Sequence, residues 1–291
     1  MEIRLGILEE KERTQFQLLD IISTDEYNKL QKCIIDISHY SQSLQLLELV
    51  LMNERDIHDF ITQTLTEVEQ KAIKWNGVSF EDMSRYRLEA NRFLLNYLSS
   101  FKTFLDHSET ILKRNFGHVS KEVTEYKSAQ SNIYDNSFSY RFFYKLRNYA
   151  QHCGIPINFD HTLRDIGSDT PQIQILLYFT KTELLKEYDS WGPIKTDIQN
   201  LSEKIDFFPH FNEATNCIVD ISEKFKALIT PEIIDSAKHV LMKTQHLRTP
   251  HNKVAMFSEI EVDEKGHYKS FLIQYFPYEI IDQILDEKSY C

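Results

Sequence analysis

The sequence predicts a mainly α-helical protein with small mixed α/β extensions at both ends. Three observations carry this. Residues 82–115 set Leu88, Leu94, Leu98, Phe101, Leu105 and Leu112 among apolar neighbours at spacings of three and four, which draws one broad apolar face. Residues 41–73 show the same period. Both ends lose it: "EIRLGIL" alternates loosely, and "NKVAMFSEIEVDEKGHYKSFLIQY" reads as a hairpin turning at Lys265-Gly266, followed by a short helix.

The elements follow in order. Residues 2–8 read as a strand, and "KCIIDISHY" fits either a second strand or a helix. A helix is expected over 41–73, with Asn76-Gly77 as a turn and a soft boundary. The helix over 82–115 takes Ser84 as its cap and ends near Gly117. At about 32 residues it would run roughly 48 Å, which calls for a long partner helix. Helices are expected over 120–131 and from about Ser137 to Cys153, where Gly154 caps and Pro156 forbids continuation. Residues 171–187 begin as a strand and turn helical, "SWGP" is a turn, and helices follow at about 195–208, 211–228 and 231–244. The organisation is thus a helical core over 79–210, a mixed or helical extension of unassigned role over 1–78, and a continuation over 211–291. Trp75 and Trp191 flank turn signals and read as packing anchors.

Composition narrows the functions. The chain has 291 residues, 42% of them hydrophobic, which is enough for a real core. A net charge of −11 argues against a general duplex-coating surface. The four cysteines form no CxxC pair, so free thiols in a reducing compartment are expected. The start carries no apolar leader, and no run approaches a membrane span, so the reading is a cytoplasmic protein without membrane partners. P-loop, GxGxxG, HExxH and GxSxG patterns are absent. His246 and His251 lack companion ligands, and no DxD pair occurs, so neither a metal site nor a cofactor is expected.

The chemistry gathers in "YRFFYKLRNYAQHCGIP", residues 140–156. Asn148 and His152 are four apart and share a helix face, so the amide can orient the imidazole. Arg147 points about 140° away from His152 on an ideal helix, within reach of a long guanidinium at a helix end. Histidine passes protons at neutral pH, and arginine clamps a phosphodiester through paired hydrogen bonds. RNA supplies its own nucleophile, the 2′-hydroxyl. Arg147, Asn148 and His152 are therefore the candidate catalytic residues of a metal-independent ribonuclease. Arg141 and Lys145, in a stretch from Asn136 to Phe159 with no acidic residue, are candidate substrate contacts. Cleavage needs both a base and an acid, and a two-fold homodimer supplies a second set.

"KLRNYAQH" resembles the signature of the HEPN superfamily, an Arg, a polar residue, three to five more residues and a His. The resemblance covers about residues 80–210. It implies a dimeric HEPN-like helical bundle, often a metal-independent ribonuclease of toxin–antitoxin, CRISPR-associated or antiphage defence systems. It makes Arg147 and His152 catalytic and Asn148 the polar position, and it implies RNA as substrate and an antitoxin or regulatory protein as partner. Where such toxins carry a tyrosine modified by their antitoxin, two residues after the His, this chain has Gly154, which argues against that kind of partner.

Blander readings stand beside this one. The Asn148–His152 pair is compatible with a buried polar pair, and the alternative function is a catalytically inactive RNA- or protein-binding module. Phe142, Phe143 and Tyr144 span about 200° of the helix, so they cannot all face one groove and two of them belong to the core. A Cys153–His152 nucleophile lacks an orienting third group.

Overall fold

A computed structural model describes residues 2–9, 15–73, 78–164 and 172–286. Asn76-Gly77, Trp75 and Pro171, on which expectations above were placed, lie outside the described residues. Among the described residues the fold is mainly helical, with eight α-helices and two antiparallel sheets. The chain forms two compact units, residues 1–42 with 227–291 and residues 43–226. The divisions fall inside two long helices, away from residues 78/79 and 210/211.

The unit that joins the termini is built on a four-stranded sheet in the order β2-β1-β6-β7, all antiparallel. Its strands are β1 (Arg4–Glu9), β2 (Gln15–Ile21), β6 (Asn252–Val262) and β7 (Tyr268–Tyr275). The register pairs Arg4 with Phe257 and Glu9 with Asn252, so the first strand lies against one from the far end of the chain. Gly6 has a steric reason: a Cβ there would meet Gln17 O at 2.5 Å and Phe257 Cε2 at 2.7 Å. The helix α1 (Thr24–Ile73) begins in this unit. Ser23 Oγ accepts from the Glu26 N–H at 3.1 Å, and Asp25 and Glu26 fill the first turn. "KCIIDISHY" is therefore helical and not a strand. Leu30, Cys33, Ile37 and Tyr40 are buried at helical spacing. The unit ends with α8 (Tyr278–Asp286), the expected short helix.

The larger unit pairs the second part of α1 with α2 (Phe80–Phe116), antiparallel. Asn53 Nδ2 donates to Ser100 Oγ at 3.0 Å, Phe60 meets Phe93 at 5.5 Å, and Arg85 pairs with Glu67 at 2.7 Å. This is the long partner that the length of α2 called for. The helix starts one turn before Ser84, because Ser79 and Asp82 form a reciprocal capping box. Its C-cap Gly117 holds φ 92°, a conformation that favours glycine.

Next come α3 (Lys121–Asn136) and α4 (Phe138–His152). A small sheet, β3 (Ile157–Arg164), β4 (Gln172–Thr180) and β5 (Lys204–Asp206), is antiparallel in that order, with α5 (Lys181–Glu187) and α6 (Ile194–Asn200) between its last two strands. The expected helix over 195–208 is therefore α6, a strand and the start of the next helix. The expected helices over 211–228 and 231–244 are one, α7 (Phe207–Thr244), with Pro231 inside it. Its apolar face runs on through Phe225, Ile229, Ile233 and Ala237, which offsets one lost backbone bond. Its first part packs on α2, where Tyr97 Oη and Thr215 Oγ1 lie 2.8 Å apart inside the core. Trp191 is fully buried, stacked on Phe142 at 5.8 Å and Tyr149 at 5.9 Å. No described helix is long and apolar enough to cross a membrane.

Candidate functional site

The predicted site residues all sit on α4, so the frame of α4 decides where they point. At its start, Ser137 Oγ accepts from the Tyr140 N–H at 3.1 Å and donates to Glu213 Oε1 at 2.6 Å. Ser139 Oγ donates to Glu213 Oε2 at 2.8 Å and lies 2.8 Å from His210 Nδ1. A hydroxyl has one proton, so with that proton on Glu213 it is the imidazole that donates to Ser139. Along the helix, Phe142, Phe143, Leu146 and Tyr149 are buried, while Tyr144 is half-buried. Two of the three consecutive aromatics are thus core, as the 100° step requires.

At its end, the Cys153 N–H donates to Tyr149 O at 2.8 Å, and Gly154 follows with φ 155°. Two residues after Ile155 the chain is clamped to α2. Ile157 N–H donates to Asn91 Oδ1 at 2.9 Å, Asn91 Nδ2 donates to Ile157 O at 2.9 Å, and Arg87 Nε adds a bond to the same carbonyl at 3.2 Å.

Arg147 is half-buried, and its Nε is sealed from solvent with no hydrogen-bond partner among the described residues. Other arginines differ: Arg85, Arg92 and Arg141 each meet a carboxylate. Asn148 is half-buried and His152 is exposed in the last turn. Among the described residues their side chains make no hydrogen bond to each other. Arg141 closes the end of α3, donating to Tyr134 O at 2.8 Å and Asp135 O at 2.7 Å, and reaches Asp197 at 3.2 Å. Lys145 lines a groove of about 380 Å³ with Lys102, Tyr134, Tyr140 and Tyr144. By helical angle Arg141, Lys145, Asn148 and His152 form one stripe, within about 60° of each other, and Arg147 leaves from another side.

No family model, curated protein or solved structure matches this chain. What the site can do is therefore read from its own groups. It offers one solvent-open imidazole, one guanidinium without a carboxylate partner among the described residues, and a helix whose sequence has no acidic side chain.

The neighbouring Cys153 offers little. Its thiol donates to Glu187 O at 3.1 Å, and burial first, then the Glu187 carboxylate, pushes its pKa up. Tyr149 is spent too, since its buried hydroxyl donates to Glu187 Oε2 at 2.6 Å. Among the described residues no group of His, Cys, Asp and Glu is placed to hold a metal ion.

Two features escaped the sequence reading. The Ser139–His210–Glu213 chain joins residues 71 and 74 positions apart and leaves no local signal. The tyrosine groove had a faint one, the i, i+4 pair Tyr140 and Tyr144.

Proposed function

We propose that this protein is a metal-independent endoribonuclease with Arg147, Asn148 and His152 as its catalytic set, acting as a homodimer. The observation that carries the reading is Arg147. Its Nε is sealed from solvent, but the half-buried side chain forms no ion pair among the described residues, which leaves the outer guanidinium nitrogens to take an anion. A phosphodiester presents two non-bridging oxygens that a planar guanidinium can hold through paired hydrogen bonds. His152, exposed one helix turn after Asn148, is the proton carrier. The "RNYAQH" resemblance to HEPN ribonucleases points the same way.

In this reading His152 takes the proton of the RNA 2′-hydroxyl. The 2′-oxygen bonds to phosphorus, the bond from phosphorus to the 5′-oxygen breaks, and the departing oxygen receives a proton from His152 of the partner subunit. The products are a 2′,3′-cyclic phosphate and a 5′-hydroxyl. Arg147 holds the non-bridging oxygens as their charge grows. The nucleophile belongs to the substrate, so no metal is needed to make one. A role in bacterial toxin or antiphage systems rests on the resemblance alone.

One observation favours a second reading, a non-catalytic binding module: no hydrogen bond between Asn148 and His152 fixes the imidazole. The two readings separate in one experiment. Labelled mixed RNA is incubated in EDTA with the wild type and with Arg147→Ala, Asn148→Ala and His152→Ala, each checked for folding and dimerisation. The ribonuclease reading expects cyclic-phosphate ends from the wild type and at least a hundredfold loss in the Arg and His variants, in line with a lost general base or oxyanion clamp. A folded dimer that leaves RNA intact favours the module.

A further inference from the structure

The groove beside Lys145 is unassigned by the cleavage reading, yet it sits on the same helix. Three tyrosines line it, Tyr134, Tyr140 and Tyr144, beside the carboxylates Asp106, Glu109 and Asp135. The rings of Tyr134 and Tyr144 stand at 90° with centroids 6.1 Å apart, and Tyr134 stands at 88° to the buried Tyr140. Two perpendicular rings make a corner. A planar guest that stacks on one wall meets the other edge to face, the two arrangements that aromatic quadrupoles favour.

The polar groups of the groove are sorted in a telling way. Lys102 Nζ is held over the Tyr144 ring at 4.9 Å, bonded to Tyr144 Oη at 3.2 Å and paired with Asp106 at 2.7 Å. Asp106 is thus paired, and so is Glu109, with Lys113 at 2.5 Å and Lys127 at 3.2 Å, while Asp135 makes no ion pair among the described residues. Lys145, at the groove's edge, makes no ion pair among the described residues. A volume of about 380 Å³ falls at the small end of ligand pockets.

Position completes the argument. From Tyr144 to His152 is eight residues of one helix, roughly 12 Å along its axis. Lys145 and Asn148 lie between them on the polar stripe. A chain whose phosphate rests at Arg147 and His152 would bring a neighbouring base to the groove and a neighbouring phosphate past Lys145.

The geometry points to a nucleobase subsite: the Tyr134–Tyr144 corner takes one unpaired base of single-stranded RNA next to the scissile phosphate, with Lys145 on the adjoining phosphate. This rests on the ribonuclease reading and adds what that reading leaves open, a demand for an unstacked base. Duplex RNA, whose bases are stacked inside, cannot satisfy it.

The test separates base binding from cleavage. Fluorescence anisotropy follows a labelled six-nucleotide 2′-deoxy strand, which lacks the attacking hydroxyl, and an abasic version of the same strand. Wild type, Tyr134→Leu, Tyr144→Leu and Tyr144→Phe are compared, each with a thermal melt to show that it is folded. The expected result is about tenfold weaker binding for each Leu variant, the range for one lost base stack, and near wild-type binding for Tyr144→Phe, which keeps the ring and loses only the Lys102 bond. The abasic strand should bind wild type as weakly as the Leu variants bind the normal strand. Equal binding of both strands, or unchanged binding by the folded Leu variants, overturns the subsite, and it does so whether or not the wild type cleaves RNA. Tyrosine-dependent binding by a wild type that never cleaves keeps the subsite and sinks the ribonuclease. A wild type that binds neither strand overturns the subsite as well.

Discussion

Asn91 and Ile157 satisfy one another completely: the buried Asn91 amide accepts from the Ile157 N–H and donates to its carbonyl, each at 2.9 Å. The clamp fixes where the chain leaves α4, and so anchors the helix end that carries His152. Asn91→Ala leaves the Ile157 N–H buried without a partner and its carbonyl with Arg87 Nε alone, so a loss of about 1–3 kcal/mol is expected. Asn91→Asp should cost at least as much, because a carboxylate cannot donate to Ile157 O or to Arg87 O, which the amide also reaches. Urea unfolding of both variants measures this. A change under half a kcal/mol would show the clamp to be incidental.

A second prediction concerns Gly6 and the joining of the two chain ends. Gly6→Ala puts a Cβ against the Gln17 carbonyl at 2.5 Å and the Phe257 ring at 2.7 Å. The ring is fully buried and ringed by Phe16 at 6.2 Å and Phe271 at 5.3 Å, so it has no room to retreat. Overpacking of this kind costs about 1–3 kcal/mol. The loss should appear as early hydrogen exchange in β1, β2 and β6, with α2 and α4 unchanged.

How much of this was legible depends on the range of the interaction that sets each feature. The ends of α4 and the end of α2 were read closely, because Gly154, Pro156 and Gly117 act within a turn of where they stand. The hairpin at Lys265-Gly266 was read for the same reason, and Gly266 takes φ 82° there. The start of α2 was missed by one turn, since Ser79 and Ser84 both look like caps and only the reciprocal Asp82 bond decides between them. The strands β2 and β3 were not foreseen: β2 is largely exposed and owes its form to pairing with β1. Nothing near Arg4 announces Phe257 as its partner. At the candidate site, residue types and helix faces could be read. The commitment of Arg141 to the end of α3, and the absence of any partner on Arg147 Nε, depend on how three helices meet.

A third prediction follows from the chain His210 to Ser139 to Glu213. Burial pushes the His210 pKa below its ordinary value, against the weaker opposite pull of Glu213 and Asp206. The folded protein therefore holds this imidazole neutral where the unfolded chain, near 6.5, begins to take a proton. Its contribution to stability is complete above about pH 6.5 and is lost as the pH falls through the lower folded value. His210→Asn, which keeps a donor for Ser139 and cannot titrate, should melt with a shallower dependence on pH between 7.5 and 5 than the wild type. Parallel curves would assign the acid sensitivity to other groups. Ser139→Ala, which strips a bond from both His210 and Glu213, should cost about 1–3 kcal/mol at pH 7.5.

The thiol beside His152 gives the last prediction. Adjacent helix positions diverge by 100°, and the Cys153 thiol is already turned away to Glu187 O at 3.1 Å. Burial and the Glu187 carboxylate both raise its pKa, so the reactive thiolate is scarce at neutral pH. Glu187 is itself held in place by the Tyr149 hydroxyl at 2.6 Å, so this environment is built in and not a chance rotamer. Iodoacetamide at pH 7.5, read by peptide mass, should therefore label Cys153 more slowly than a free thiol in a model peptide. Tyr149→Phe frees the carboxylate without removing its charge and should leave the labelling slow. If the protein cleaves RNA, Cys153→Ser should cleave at nearly the wild-type rate, since serine can donate the same bond to Glu187 O. Rapid labelling of Cys153, with cleavage lost in step and not restored by serine, would move the chemistry from the imidazole to the sulfur.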